Sequence, residues 1–563
     1  MKILIVGGVA GGASCAARIR RLDEKAEIII FEQGPDVSFS NCALPYYLSN
    51  IIDNRDKLVL MNPNKFKNQY NIEVRTNSKV VSIDRENRKI KVLDIANNNE
   101  YFENYDKLVL ATGASPFIPN TLQGAGKENV FTIRNVVDIE KLKKYLVENN
   151  VKNVSVVGGG FIGLEVVENL VEAKYNVSLV EMSNQVLPTI DYDLVQIVHK
   201  ELLDHNVNLV LNDGIKEIED GYIALNSGKQ IVCEAVVLAI GVKPETSLAK
   251  DCNLEIGQTG GIKVNNEFKT SDENIYAVGD VVEITNKQTG KQGRLALAWP
   301  AQMQARIAAN DICSAKNDGF SYIGSSVVKL FDKYIASTGM NEKALIENQI
   351  NYDYVYVIPQ DKVSIMPNSK PIHLKVLFEK VTGKVLGAQC ISQNNADRRV
   401  DVISTVIHFN GTLYDLKNLE LCYAPVVSTA KDAVNYAGLV GINILENVYK
   451  QVHLSDIEKL VNENAYIVDV REEAEYQAGH IINAVNIPLS QLRQRINEIP
   501  KDKNVYLHCR SSQRSYNALM CLQNNGFTNV YNISGSYLAI SYYLYANDIL
   551  QNRKPILTAY NFK

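Results

Sequence analysis

Two glycine turns of the same grammar constrain this chain more than anything else in it. Residues 2–6 read as a buried strand, Gly7-Gly8-Val9-Ala10-Gly11-Gly12 as a tight turn, 11–24 as a helix, and 27–31 as a second strand ending against Glu32. The grammar returns as strand Val154 to Val157, turn Gly158-Gly159-Gly160-Phe161-Ile162-Gly163, a helix over 161–174, and strand Val177 to Val180 ending against Glu181. Glycine lets the backbone turn sharply and bring N–H groups against a pyrophosphate at a helix N-terminus; the carboxylate that follows accepts from ribose hydroxyls. Val9 stands where the usual middle glycine would be, so the first turn alone could be a glycine-rich bend in another α/β fold. The tandem pair, joined by Ala111-Thr112-Gly113 and Val278-Gly279-Asp280, instead implies one flavin site and one nicotinamide site, with hydride passing from NADH to FAD. Glu181 repels a 2′-phosphate, and Met182 and Ser183 offer no arginine to reverse that, so NADH is expected, with NADPH as the alternative.

A chain of 563 residues is too long for one core. The pattern divides into a dinucleotide-binding domain in two parts (1–118 and 242–324), a second inserted between them (119–241), an α+β domain (325–440), a connector (441–451) and a compact α/β domain (452–563). A net charge of −4 gives no general attraction to nucleic acid or to an anionic membrane. Nine cysteines without a CxxC pair suggest neither zinc nor a disulfide framework, and a reducing cytoplasm is the simplest compartment. The opening apolar run is too short for a signal peptide, and no stretch is long enough to span a membrane.

Cys42 lies in Ser38-Phe39-Ser40-Asn41-Cys42-Ala43-Leu44-Pro45-Tyr46-Tyr47, and its nearest cysteines are Cys15 and Cys233. A flavoenzyme that reduces disulfides normally carries two nearby cysteines, one attacking and one resolving. Here the partner sulfur is expected from outside, as a small thiol or a persulfide. Cys509 is a second, exposed-looking cysteine in a loop of another kind. Two such sites point to sulfur redox chemistry; the other cysteines read as structural.

On these residues, 1–440 resemble the pyridine nucleotide-disulfide oxidoreductases, in the single-cysteine branch that contains coenzyme A-disulfide reductase; Tyr423-Ala424-Pro425 and Lys431 look like that branch's C-terminal motif. The resemblance implies cofactor contacts at Gly7 to Gly12, Glu32, Ser40, Asn41, Val80, Ala111, Thr112, Gly113, Gly158, Gly160, Phe161, Ile162, Gly163, Glu181, Gly241, Gly279, Asp280 and Ala298. It implies coenzyme A contacts at Ser14, Arg18, Arg21, Ser38, Asn41 and Lys431. It makes 325–440 a dimerisation domain, Cys42 a thiol resting as a mixed disulfide with coenzyme A or another thiol, and Tyr423 a proton donor reaching Cys42 from the partner subunit. A helix end or an oxidised flavin is expected to lower the Cys42 pKa. The bland alternatives are a solvated helix face for the arginines and a packed interface tyrosine for Tyr423. Four places depart from the pattern: Met366 in Ile365-Met366-Pro367 where a tyrosine is usual before the proline, Gln302 where asparagine is common, Trp299 beside it, and Gln69-Tyr70 where a basic phosphate contact belongs. A branch that cycles its cysteine as an NADH oxidase or peroxidase carries histidine where this chain has Ala10.

Residues 452–553 resemble a rhodanese domain through Val468-Asp469-Val470-Arg471-Glu472, Gly479-His480-Ile481, Asn486-Ile487-Pro488 and His508-Cys509-Arg510-Ser511-Ser512-Gln513-Arg514-Ser515. A Cys-x4-Arg loop leading into a helix suits a persulfide rather than a phosphate, with Arg510 and Arg514 holding an anionic donor. The expected protein is an α/β flavoenzyme, a homodimer, that spends NADH to reduce coenzyme A persulfide, polysulfide or coenzyme A disulfide at Cys42, fused to a sulfurtransferase. Its alternatives are a plain coenzyme A-disulfide reductase with an ancillary rhodanese domain, an NADH oxidase or peroxidase, and a flavin redox sensor.

Overall fold

The computed structural model describes residues 1–317 and 319–562. They form two units, Met1–Met182 with Asp213–Tyr322 and Ser183–Asn212 with Ile323–Lys563.

In the first unit, Lys2–Val6 shows no polar alternation because both of its faces are covered: Ile3, Leu4 and Ile5 are each 0% exposed. It lies between Glu27–Phe31 and Lys107–Leu110 in a five-stranded parallel sheet, flanked outside by Glu73–Arg75 and Ile275–Ala277. The helix Ala10–Leu22 follows the first strand and packs along Ala298–Ile312. The same construction recurs in parallel pairs, with Asn153–Val157 between Asn176–Val180 and Ala235–Leu238, and Val130–Phe131 beside the last. The helix of this copy is Phe161–Glu172. Both helices stop two residues earlier than the sequence pattern suggested, because Asp23 turns extended (φ −136°) and Ala173 leaves the helical region.

In the second unit, an antiparallel sheet runs in the order Ser325–Leu330, Lys333–Gly339, Val385–Ser392, Ile372–Glu379, Tyr352–Val357. Helices Ala396–His408 and Ala433–Leu445 complete its core. A parallel sheet follows, ordered Lys450–Val452, Val530–Ile533, Val505–His508, Tyr466–Asp469, Val485–Asn486. The connector expected over 441–451 is therefore mostly structured, since only the residues between Leu445 and Lys450 link helix to strand. Gly438 and Gly441 do not interrupt the helix Ala433–Leu445. They are buried where a Cβ on Gly438 would stand 2.4 Å from the Lys417 nitrogen.

Residues 183–212, expected inside the second dinucleotide domain, belong to this unit through the helix Tyr192–Asp204, which packs on Ser536–Leu550. Lys375, with no side-chain exposure, reaches Asp191 at 3.2 Å and Asp193 at 2.8 Å and also pairs with Glu342. The three carboxylates have the look of a metal cluster, but the lysine ammonium is the cation they hold. Burial pushes Asp191 up to about 6. Its folded pKa then exceeds its unfolded value, so its contribution to stability is present at low pH and lost as pH rises from about 4 through about 6. Replacing Lys375 with Met leaves the carboxylates uncompensated, with an expected cost of about 3–5 kcal/mol at neutral pH. Thermal unfolding should show that loss shrinking as the pH falls towards 5; an equal loss at both pH values would refute it.

Candidate functional site

Each glycine turn is set by the same close approach. Gly7 has φ +98°, and a Cβ there would stand 2.2 Å from the Ala111 oxygen; at Gly12 it would stand 1.8 Å from the Gly7 oxygen. In the second copy, Gly158 (φ +108°) would meet the Ala239 oxygen at 2.4 Å, and Gly163 the Gly158 oxygen at 1.9 Å. Glu32 accepts from the Gly8 N–H at 3.0 Å, as Glu181 does from Gly159 at 2.7 Å, so each carboxylate is held at its turn. The second oxygen of Glu32 is taken by the Gly34 N–H at 3.0 Å, and burial raises its pKa. Val9 serves as the N-cap of its helix without a side-chain hydrogen bond, and Gly160 does so in the second copy.

The strand ends leave a bare backbone cradle. A Cβ on Gly113 (φ +66°), Gly160 or Gly241 (φ +121°) would meet nothing within 4 Å. Gly279 donates to the Gln304 side chain at 2.6 Å, and Asp280 beside it is pushed up to about 6 by burial alone, with no hydrogen bond from a described residue. A half-buried carboxylate without a donor suits a ligand hydroxyl, and with the open glycine positions the residues fit a dinucleotide at each turn. Val80 is 5% exposed on the strand Ser78–Asp84, while Ala298 opens the helix Ala298–Ile312.

Cys42 is exposed, on the short 3-10 turn Asn41–Ala43. Ser38 takes a left-handed φ of +49° and its N–H bonds the Gly8 oxygen at 2.8 Å, which ties this loop to the first glycine turn. Contrary to the expected lowering, the Cys42 thiol is raised. Burial of the sulfur's surroundings comes first, then the charges of Glu165 and Asp280. So short a turn supplies little dipole to oppose them. Glu165 escaped the sequence reading, although its place two residues after Gly163, on the helix face that follows the turn, was legible there. One turn further along that face, Asn169 accepts from Ser49 of the cysteine loop at 2.6 Å. Burial and the neighbouring Glu168 push Glu165 up to about 7. Arg134 was also missed; it donates to the Thr112 oxygen at 3.3 Å and to Ser115 at 3.0 Å.

In the second unit, Tyr423 is 51% exposed, beside Val426 (64%) and Val427 (45%). The turn carrying Ile365 (82% exposed) is joined to this segment by a 3.3 Å bond from the Val363 N–H to the Pro425 oxygen. Lys431 stands 5.8 Å over the Tyr436 ring. Cys422, read as structural, is exposed.

Cys509 is 1% exposed rather than open, because the strand Val505–His508 carries it directly into the core. Its N–H reaches the Ser536 hydroxyl at 3.2 Å, and the Ser515 hydroxyl lies 3.7 Å from its sulfur. The loop closes at Ser512 (φ +74°), which caps the helix Gln513–Asn524. The two arginines part company. Arg514 is held bidentately by Glu475 at 2.6 and 2.7 Å, whereas the half-buried Arg510 has no hydrogen bond or ion pair through its side chain among the described residues. Burial holds Arg510 below its ordinary value. Of the pair expected to grip an anion, Arg510 is the one free to do so.

No helix among the described residues is long and apolar enough to cross a membrane. The profile of the pyridine nucleotide-disulphide oxidoreductases matches residues 1–305, that of the family's dimerisation domain 325–434, and that of the rhodanese-like domain 453–542. A coenzyme A disulfide reductase of Staphylococcus epidermidis is 35% identical over 438 residues, covering 78% of this chain and 99% of that protein. The crystal structure of reduced CoADR-RHD from Bacillus anthracis is 42% identical with a TM-score of 0.93, over 96% of this chain and 98% of that one. An NAD-dependent persulfide reductase from A. fulgidus is 33% identical with a TM-score of 0.90, over 96% and 100%. With two dinucleotide turns, a lone exposed cysteine beside them and matches that span almost its whole length, this chain belongs to the pyridine nucleotide-disulphide oxidoreductases.

Proposed function

We propose that the protein is an FAD-dependent, NADH-consuming reductase of coenzyme A persulfide and coenzyme A disulfide, fused to a sulfurtransferase that feeds it. One observation carries this reading: Cys42 is the only exposed cysteine among the described residues of its unit, with Cys15, Cys233 and Cys252 buried and Cys313 half-buried. A thiol with no resolving partner in its own unit must take its second sulfur from the substrate. Bound at the two glycine turns, NADH would supply the two electrons of each turnover and FAD would relay them.

The chain's own residues do the rest. A sulfane-sulfur donor held by Arg510 yields one sulfur to Cys509, which becomes a persulfide stabilised by the loop and the helix behind it. A coenzyme A thiol takes that sulfur and returns Cys509 to its thiol. The Cys42 thiolate then attacks the coenzyme A sulfur, the S–S bond breaks, and hydrosulfide leaves. The mixed disulfide left on Cys42 is cleaved by the two electrons. The balance is coenzyme A persulfide, NADH and a proton in; coenzyme A, hydrogen sulfide and NAD+ out. Ser14, Arg18, Arg21, Ser38, Asn41 and Lys431 hold the carrier. Tyr423, exposed on an apolar surface with Val426, Val427 and Ile365, comes from a second copy of the chain and protonates the departing thiolate. The match to the family's dimerisation domain supports that arrangement.

Anaerobic NADH oxidation tests the reading. Cys42→Ser should abolish turnover of coenzyme A disulfide and persulfide alike. Cys509→Ser should keep the disulfide reaction and lose the one driven by polysulfide; full polysulfide turnover by that variant would sink the relay. A wild-type enzyme that consumes oxygen or peroxide faster than any sulfur substrate would favour the oxidase reading instead.

The acid neighbours of Cys42 add a pH dependence. Glu165, with a pKa near 7, is charged above neutrality and there opposes formation of the thiolate. In Glu165→Gln, alkylation of Cys42 by iodoacetamide, followed on its own peptide by mass spectrometry, should reach half-maximal rate at a lower pH. A midpoint unmoved or moved upward would contradict the assignment.

A further inference from the structure

Four arginines gather on two packed helices of the first unit, and they are used in opposite ways. Arg20, 4% exposed, is spent on structure, donating to the backbone oxygens of Tyr70, Asp23, Glu24, Ala26 and Asn71 at 2.7–3.0 Å. Arg18 and Arg21 lie on another face of that helix, three residues apart and so adjacent on its surface. Arg18 uses only its Nε, donating to the Asn310 side chain at 2.9 Å. That bond fixes the facing helix, Ala298–Ile312, on which Arg306 precedes Asn310 by one turn, a rise of about 6 Å. Arg306 is exposed and has no hydrogen bond or ion pair with a described residue. Arg21 has only a ring contact, its guanidinium 6.0 Å over Tyr70.

No carboxylate among the described residues pairs with Arg18, Arg21 or Arg306. Asp311 is engaged by the Tyr276 hydroxyl at 2.6 Å and by Lys269 at 3.2 Å, and Asp23 accepts from the Lys25 N–H at 2.9 Å. Burial, then the like charges of Arg306 and Arg21, hold Arg18 below its ordinary value. Three guanidiniums gathered without an acid repel one another, and an anion with several phosphate oxygens relieves that repulsion through forked hydrogen bonds.

We propose that Arg306, with Arg18 and Arg21, grips the phosphates at the nucleotide end of the coenzyme A carrier and supplies the basic contact that Gln69 and Tyr70 lack. This rests on the coenzyme A reading above and adds to it a residue that decides carrier specificity. Tyr70 keeps a role by lying under Arg21, while the missing charge comes from the opposite helix. The loss of the usual basic residue beside Tyr70 is then a relocation of charge, and coenzyme A stays the carrier.

The test compares kcat/KM for coenzyme A disulfide, 3′-dephospho-coenzyme A disulfide and pantethine, which has no phosphate. In Arg306→Gln the preference for coenzyme A disulfide over pantethine should fall about tenfold or more, the cost of a lost charged hydrogen bond. The fall should lie in KM rather than kcat, and Arg306→Lys should restore part of it. If the dephospho substrate escapes the penalty, Arg306 binds the 3′-phosphate; if it shares the penalty, Arg306 binds the diphosphate. A preference unchanged by Arg306→Gln, with the wild type still preferring coenzyme A, overturns the role of Arg306 alone. A wild type that turns over coenzyme A disulfide no better than pantethine overturns the carrier reading as well.

Discussion

Both halves of the first unit depend on one contact, made twice: the Cα of a glycine pressed against a carbonyl oxygen of the neighbouring strand. At Gly7 and Gly158 the partner oxygens, on Ala111 and Ala239, lie where any side chain would have to be. Each turn is closed a second time by the last glycine of its motif over the first. These approaches fix each turn at the ends of its strands, and the Cys42 loop is hung from the first turn by the Ser38–Gly8 bond. A methyl group at Gly7 or Gly12 would move the helix, the loop and the thiol together, and one at Gly158 or Gly163 would displace the second helix.

The two sulfur sites solve opposite problems. Cys42 is exposed among acidic groups that oppose its ionisation, so its reactivity depends on what binds beside it. Cys509 is enclosed, with hydroxyls at its N–H and near its sulfur and a long helix running away from the loop. The first environment suits a thiol that is charged only when the reaction is ready to run. The second suits a sulfur atom that must be held between donor and acceptor without escaping to water.

Much of the architecture was legible because it repeats a strict spacing. Uninterrupted aliphatic strands, glycines at fixed offsets and a terminal carboxylate can be satisfied by few folds, and the structure has both copies where the pattern put them. The misreadings share a cause. The connector expected from residue 441 stays helical to Leu445, because Gly441 is buried where Leu413 comes close. Cys509 looked exposed because loops usually are, but this loop descends into a core. Glu165 was overlooked since its charge matters only through a neighbour distant in sequence. Arg514 was counted as an anion ligand with no sign that Glu475 would occupy it.

By itself the sequence determined the two glycine turns, the order of the matched domains and which two cysteines are the candidates for sulfur chemistry, for these follow from local spacing and motif context. Only the tertiary structure decided which charges are free. It spent Arg20 on backbone oxygens and Arg514 on a carboxylate, filled an apparent metal cluster with Lys375, and left Arg306 and Arg510 without a side-chain partner among the described residues. A side chain's availability is set by neighbours tens of positions away or more, brought close by packing that no local pattern encodes.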